Sequence, residues 1–142
     1  MHMNATYCPE RCKFWPAYPW KFWSRACFLV NKELSLSSWS VSYPQPDLAT
    51  LTLRIENRNI HIHNIYSPSP GTPNEINSDS PIYKLPQLLS TSEEHIVTGD
   101  FNLHHPWWGG ASCLTRHRMA DDLTEIIKEA GLKLLTSPGT VT

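Results

Sequence analysis

From Ser38 to Ile62 the chain alternates apolar and polar side chains with a period of two, and this restricts it to half-buried strands. Trp39, Val41 and Tyr43 alternate with Ser38, Ser40 and Ser42. Leu51, Leu53 and Ile55 alternate with Thr50, Thr52 and Arg54, and Ile60 and Ile62 resume the pattern. Successive strand residues point to opposite faces, so each run offers one face to a core and the other to solvent. Pro44-Gln45-Pro46-Asp47 and Asn57-Arg58-Asn59 supply turns between the runs. Strand, turn and strand at this spacing predict an antiparallel meander. Ile65 falls out of step with Ile60 and Ile62, which predicts a bulge or bend near Asn64.

Other elements flank the meander. Ala26-Cys27-Phe28-Leu29-Val30 and His95-Ile96-Val97-Thr98 are short apolar runs of strand type. A short helix is expected around Tyr83 to Leu89, started or interrupted by Pro86. Met119, Leu123, Ile126, Ile127 and Ala130 share one helical face, predicting a helix over Arg116 to Ala130. Thr115 is its expected N-cap and Gly131 its C-cap. Leu132, Leu134 and Leu135 are expected to begin a last strand. The element order gives an α/β class of the α+β kind, with no internal repeat.

Residues 7–23 differ in texture. Tyr7, Phe14, Trp15, Tyr18, Trp20, Phe22 and Trp23 are broken by Pro9, Pro16 and Pro19. Prolines at that density prevent a helix and interrupt a strand ladder, so a loop is expected. Arg11, Lys13, Lys21 and Arg25 lie between the rings, which also suits a stacking surface for unpaired bases. The division is a divergent aromatic and proline-rich leader over 1–25, then one domain over 26–142.

Charge narrows the partners. Twelve basic and thirteen acidic side chains leave −1 overall, and only 18% of residues are charged. This excludes a polybasic nucleic-acid arm but leaves room for a local basic groove. Cys8, Cys12, Cys27 and Cys113 lack zinc-knuckle spacing, and Cys27 sits in an apolar run that suits a reduced thiol. No secretory signal and no apolar run of about 18 residues is present. An intracellular, soluble protein, nuclear or cytoplasmic and without a membrane partner, is therefore expected.

Three constellations offer chemistry. Gly99-Asp100-Phe101-Asn102 closes a buried strand; on a strand, Asp100 and Asn102 face one site while Phe101 turns to the core. A carboxylate can take a water's proton or hold it toward a metal, and a carboxamide orients it without adding charge. The same residues also form ordinary turns at strand ends. Asn64-Ile65-Tyr66-Ser67-Pro68 places a phenol ahead of a proline-fixed loop, where it can meet a phosphate or simply cap the core. Asn102-Leu103-His104-His105-Pro106-Trp107-Trp108-Gly109-Gly110 adds imidazoles and indoles suited to phosphates and bases. His61 and His63 share a strand face but lack the further ligands of a zinc site.

In this order, Asn64-Ile65-Tyr66-Ser67-Pro68-Ser69-Pro70 and Gly99-Asp100-Phe101-Asn102 resemble the endonuclease/exonuclease/phosphatase superfamily. The continuation through Gly110, with Phe28-Leu29-Val30-Asn31-Lys32 and Ser137-Pro138-Gly139-Thr140-Val141-Thr142, is similar to the endonuclease domain of non-LTR (LINE-type) retrotransposons. The resemblance covers roughly residues 26–142. It implies part of a four-layered two-sheet sandwich with flanking helices, and DNA phosphodiester cleavage with Mg²⁺. It assigns Asp100 to water activation and as a metal ligand, Asn102 to orienting water or phosphate, and Tyr66 to charge on the phosphate. His104, His105, Trp107 and Asn64 fall to DNA binding.

Two features of that family's pattern are missing: a metal-binding Glu after an early strand and a closing Ser-Asp-His. Glu10 has no buried strand ahead of it, Glu33 comes late, and no Asp-His pair occurs. The expectation is a fragment of a DNA-nicking, Mg²⁺-dependent domain, weakly active or inactive as this chain. The alternative is a non-catalytic remnant that binds nucleic acid or a protein partner through its aromatic loops.

Overall fold

Alternation in the central third of the chain produces a sheet whose two faces are both used. The computed structural model describes residues 13–17 and 24–139. Two compact units arise, one from the described residues of Met1–Tyr66 and Ser92–Asp100, the other from those of Ser67–Thr91 and Phe101–Thr142. Tyr7, Cys8, Glu10, Cys12, Tyr18, Trp20, Phe22, Trp23 and 140–142 lie outside the described residues.

In the first unit, β1 (Phe14–Ala17) pairs antiparallel with β2 (Phe28–Asn31). β3 (Trp39–Gln45), β4 (Leu48–Ile55), β5 (Arg58–Tyr66) and β6 (Glu94–Asp100) form a second sheet in that order. β3, β4 and β5 are the expected antiparallel meander, whereas β6 lies parallel to β5. Trp39, Val41, Leu51, Leu53 and Ile62 present one face of this sheet to Trp15, Ala17, Phe28 and Val30 of the smaller one. Fully burying a large apolar side chain contributes about 1.5–3 kcal/mol, so the buried members of this layer, such as Trp39, Val30 and Leu51, stabilise the pairing of the two sheets.

β1 corrects the loop reading of the leader. Pro16 stands opposite Leu29 in a ladder of two strands, and such an edge tolerates a residue without an N–H. The expected bulge near Asn64 is also absent. β5 keeps continuous register with β4 from Leu48↔Ile65 to Ile55↔Arg58. The apolar phase changes because both faces of β5 are buried: Ile62 packs between the sheets, while His63 and Ile65 are buried on the opposite face. The turn before β5 falls at Glu56 and Asn57, with Glu56 at φ 54°.

The second unit holds α1 (Leu85–Leu88), preceded by a 3-10 turn over Pro81–Lys84, then α2 (Pro106–Gly109) and α3 (Arg118–Glu129). Met119, Ala120, Leu123 and Thr124 are the buried face of α3. His117, not Thr115, is its N-cap residue, because the chain before it is held by the His117 N–H bond to the His104 carbonyl (2.9 Å). Gly131 ends the helix at φ 67°, as its glycine suggests. Leu132 to Leu135 do not form the expected strand, and Leu135 is exposed. Among the described residues, two sheets of two and four strands with short helices make the fold α+β.

Candidate active site

Register places the first pair of site residues. β5 and β6 run parallel and end together, with Tyr66 opposite Asp100. Asn64, opposite Thr98, lies two residues before Tyr66 and thus shares its sheet face. Asn64 is half-buried, with its Nδ2 donating to the Cys27 carbonyl (2.9 Å). Asp100 is exposed, and its carboxylate makes no hydrogen bond or ion pair among the described residues. A carboxylate left open at the carboxyl ends of two parallel strands is available for ligand or water.

Gly99 makes that pairing possible. A β-carbon there would lie 1.9 Å from the Ile65 carbonyl oxygen and 2.6 Å from its nitrogen, and φ is +136°. Only glycine lets the two strands approach this closely one residue before Tyr66 and Asp100. Gly99 is part of the motif read from sequence, but the steric reason for it emerges only from the parallel pairing.

Tyr66 is itself clamped within the first unit. Its N–H donates to the Asp47 carbonyl (2.9 Å), and the Arg25 guanidinium carbon lies 4.4 Å from the centre of its ring. Arg25 Nε donates to Asp47 Oδ1 (2.7 Å), with a parallel bond from Nη2 to Oδ2. Asp47 foremost, and Tyr66 after it, raise the Arg25 pKa above its ordinary value, so the group is a fixed cation. No local motif marks this trio, since Arg25 and Asp47 are 22 residues apart.

Asn102 corrects the strand argument that paired it with Asp100. β6 ends at Asp100, and Asn102 adopts φ 48°, a left-handed conformation that Asn tolerates better than most residues. Period two therefore does not extend to it. It belongs to the second unit, where its Nδ2 donates to the Ser67 carbonyl (3.0 Å). Phe101 between them is half-buried.

The His-His-Pro-Trp-Trp segment forms a local knot in the second unit. His105 Nδ1 accepts from the Trp107 N–H (3.0 Å), capping α2, and its Nε2 lies 3.3 Å from Asp121 Oδ1. Trp108 Nε1 donates to the Leu103 carbonyl (2.9 Å). His104 is exposed, with its ring tilted against His117, while its N–H donates to His117 Nδ1 (2.9 Å). Burial and the neighbouring His104 lower the His117 pKa. Trp107 is half-buried, with Lys128 Nζ 5.9 Å from its ring centre.

Magnesium is the metal that the sequence resemblance implies. It keeps several waters and is commonly held by one or two carboxylates together with substrate phosphates. Asp100 supplies one open carboxylate of that kind. Among the described residues no three His, Cys, Asp or Glu side chains gather as a closed metal site. The described donors thus fit the open, water-rich mode.

The α+β arrangement is that of an endonuclease domain. It is similar to the solved structure titled "Endonuclease domain of TRAS1, a telomere-specific non-LTR retrotransposon", with a TM-score of 0.53 and 19% identity over 84% of this chain. This chain spans 55% of that structure's length. A family model described as endonuclease-reverse transcriptase matches residues 60–142, more than half of the sequence, and the chain belongs to that family. No curated protein matches it. Among the described residues no helix is long and apolar enough to cross a membrane.

Proposed function

We propose that this chain carries part of the phosphodiester-cleaving apparatus of a retrotransposon-type DNA endonuclease. The observation that carries the proposal is the pairing of Tyr66 with Asp100 at the shared end of β5 and β6, one residue beyond a glycine that no other residue can replace. In this reading Asp100 takes the proton of the attacking water, which converts a weak nucleophile into a competent one. Tyr66 donates its phenolic hydrogen to a phosphate oxygen as charge accumulates there. Asn102 is assigned to orienting water or phosphate by the Gly99-Asp100-Phe101-Asn102 motif. His104 and Trp107 are assigned to DNA contact; His105 acts there through the fold of α2, since both ring nitrogens already face local partners.

Asp100 would hold Mg²⁺, which supplies Lewis-acid polarisation of the phosphoryl group when bound. The protein's own part is to keep the Asp100 carboxylate unshared and the Tyr66 ring immobile. DNA is the substrate class, and a nucleus or cytoplasm containing it is the fitting compartment.

Nicking of supercoiled plasmid with Mg²⁺ tests this, comparing the chain with Asp100→Ala. Loss of a positioned base lowers the rate about 10²–10⁴-fold. Equal conversion by both proteins would leave the non-catalytic remnant as the correct reading.

A further inference from the structure

Arg25 is a strong cation packed against the Tyr66 ring, and its hydrogen-bonding capacity is only partly used. A guanidinium has five N–H donors in a rigid fork. Asp47 engages Nε and one Nη2 hydrogen, and the side chain is still 51% exposed. The segment bearing Arg25 is held in place. Ser24 Oγ donates to the Pro46 carbonyl, and the Cys27 carbonyl accepts from Asn64. The fork is therefore aimed before any ligand arrives. Planar, preorganised guanidinium groups suit phosphate far better than a flexible ammonium does.

A cation over a ring face within about 6 Å is attracted to it, so Arg25 also restrains the plane of Tyr66. Asp47 binds this trio from two sides. Its carboxylate holds Arg25, and its backbone carbonyl holds the Tyr66 N–H.

We propose that Arg25 is a phosphate-binding and positioning residue, which presents its outward N–H groups to a DNA backbone phosphate while locking the Tyr66 ring. This rests on the nuclease reading above for the identity of the phosphate and for the role of Tyr66. The competing explanation is a surface clip, in which Arg25 and Asp47 only join the segment before β2 to the β3–β4 turn.

The two explanations separate in the salt dependence of binding to a short labelled DNA duplex, measured with the full chain. Each phosphate contact on duplex DNA adds about 0.9 to the slope of log affinity against log salt. Arg25→Ala is expected to flatten the slope by about that much. Asp47→Asn breaks the same ion pair yet retains the cation, and is expected to leave the slope unchanged or steeper. Arg25→Lys keeps the charge and most of the slope, but loses the stacked plane, so its nicking kcat falls with little change in KM. Equal slopes for Arg25→Ala and the unmodified chain overturn the proposal. Equal losses in Arg25→Ala and Asp47→Asn also overturn it, in favour of the clip. Absence of salt-dependent binding overturns both this inference and the nuclease reading. A slope that responds to Arg25 without any Asp100-dependent nicking retains the phosphate contact and rejects the nuclease reading.

Discussion

At Gly99 a single hydrogen stands where any side chain would meet the Ile65 backbone. Shifting that contact means prising β6 from β5, and an Ala must also occupy φ +136°. Gly99→Ala is therefore expected to cost at least about 3 kcal/mol, read as a lower urea midpoint, and to abolish Asp100-dependent nicking. Normal stability with normal nicking would show that the two strands need not approach so closely. Motif residues were legible in sequence because they are contiguous, as in Gly99 to Asn102. What each does was not, because it depends on partners elsewhere. Asn102 looked like a strand residue beside Asp100, but β6 ends first. Arg25 stood among the basic residues of an aromatic leader, and only folding sets it against Asp47 and Tyr66.

At the scale of elements, periodicity succeeded where apolar and polar residues alternate strictly in sequence and failed where that alternation is interrupted. β3 and β4 alternate cleanly and were found where the pattern put them. β5 carries Ile62 toward one layer and His63 with Ile65 toward the other, so its true regularity resembled a phase error. β1 was hidden by Pro16, since composition does not reveal which strands are edges. Leu132 to Leu135 had the composition of a strand without a ladder to join among the described residues. The helix α3 was legible because its apolar stripe is continuous, and that stripe allows a direct check. Leu123 is 2% exposed and Glu125 is exposed on the same helix. Leu123→Ala should cost about 3 kcal/mol, whereas Glu125→Ala should stay within about 0.5 kcal/mol. Denaturant unfolding of the two variants measures both. Similar losses would mean that the apolar face of α3 contributes little beyond its backbone.

For the molecule as a whole, buried histidines set the acid limit. His61, His63 and His95 stack on one face of the larger sheet, with ring centres 5.1–6.3 Å apart. His63 is 1% exposed. Its Nδ1 faces Thr50 Oγ1 (3.0 Å) and its Nε2 faces His95 Nδ1 (3.1 Å), while His61 is bonded to Thr52 and Glu93. Burial, with the neighbouring His95 and His61, pushes the His63 pKa down to about 4. The unfolded chain takes up a proton there near the ordinary value of about 6.5. Above that pH both states are neutral and stability is complete. As pH falls from about 6.5 toward 4, the unfolded state gains a proton that the folded state refuses, so unfolding becomes progressively more favourable. At pH 5 the loss is about 2 kcal/mol, and it approaches 3 kcal/mol by pH 4. His117, whose pKa is also lowered by burial and His104, adds a loss of the same sign in the second unit. Glu93 opposes neither effect, because hydrogen bonds from His61 and Asn59 lower its pKa, and its contribution too disappears only as pH falls. Urea midpoints should therefore decline steadily below neutrality, and His63→Gln, which keeps a polar side chain but cannot titrate, should flatten that decline. A midpoint that holds between pH 7 and 5 in the unmodified chain would mean that the three-ring stack accepts a proton without opening.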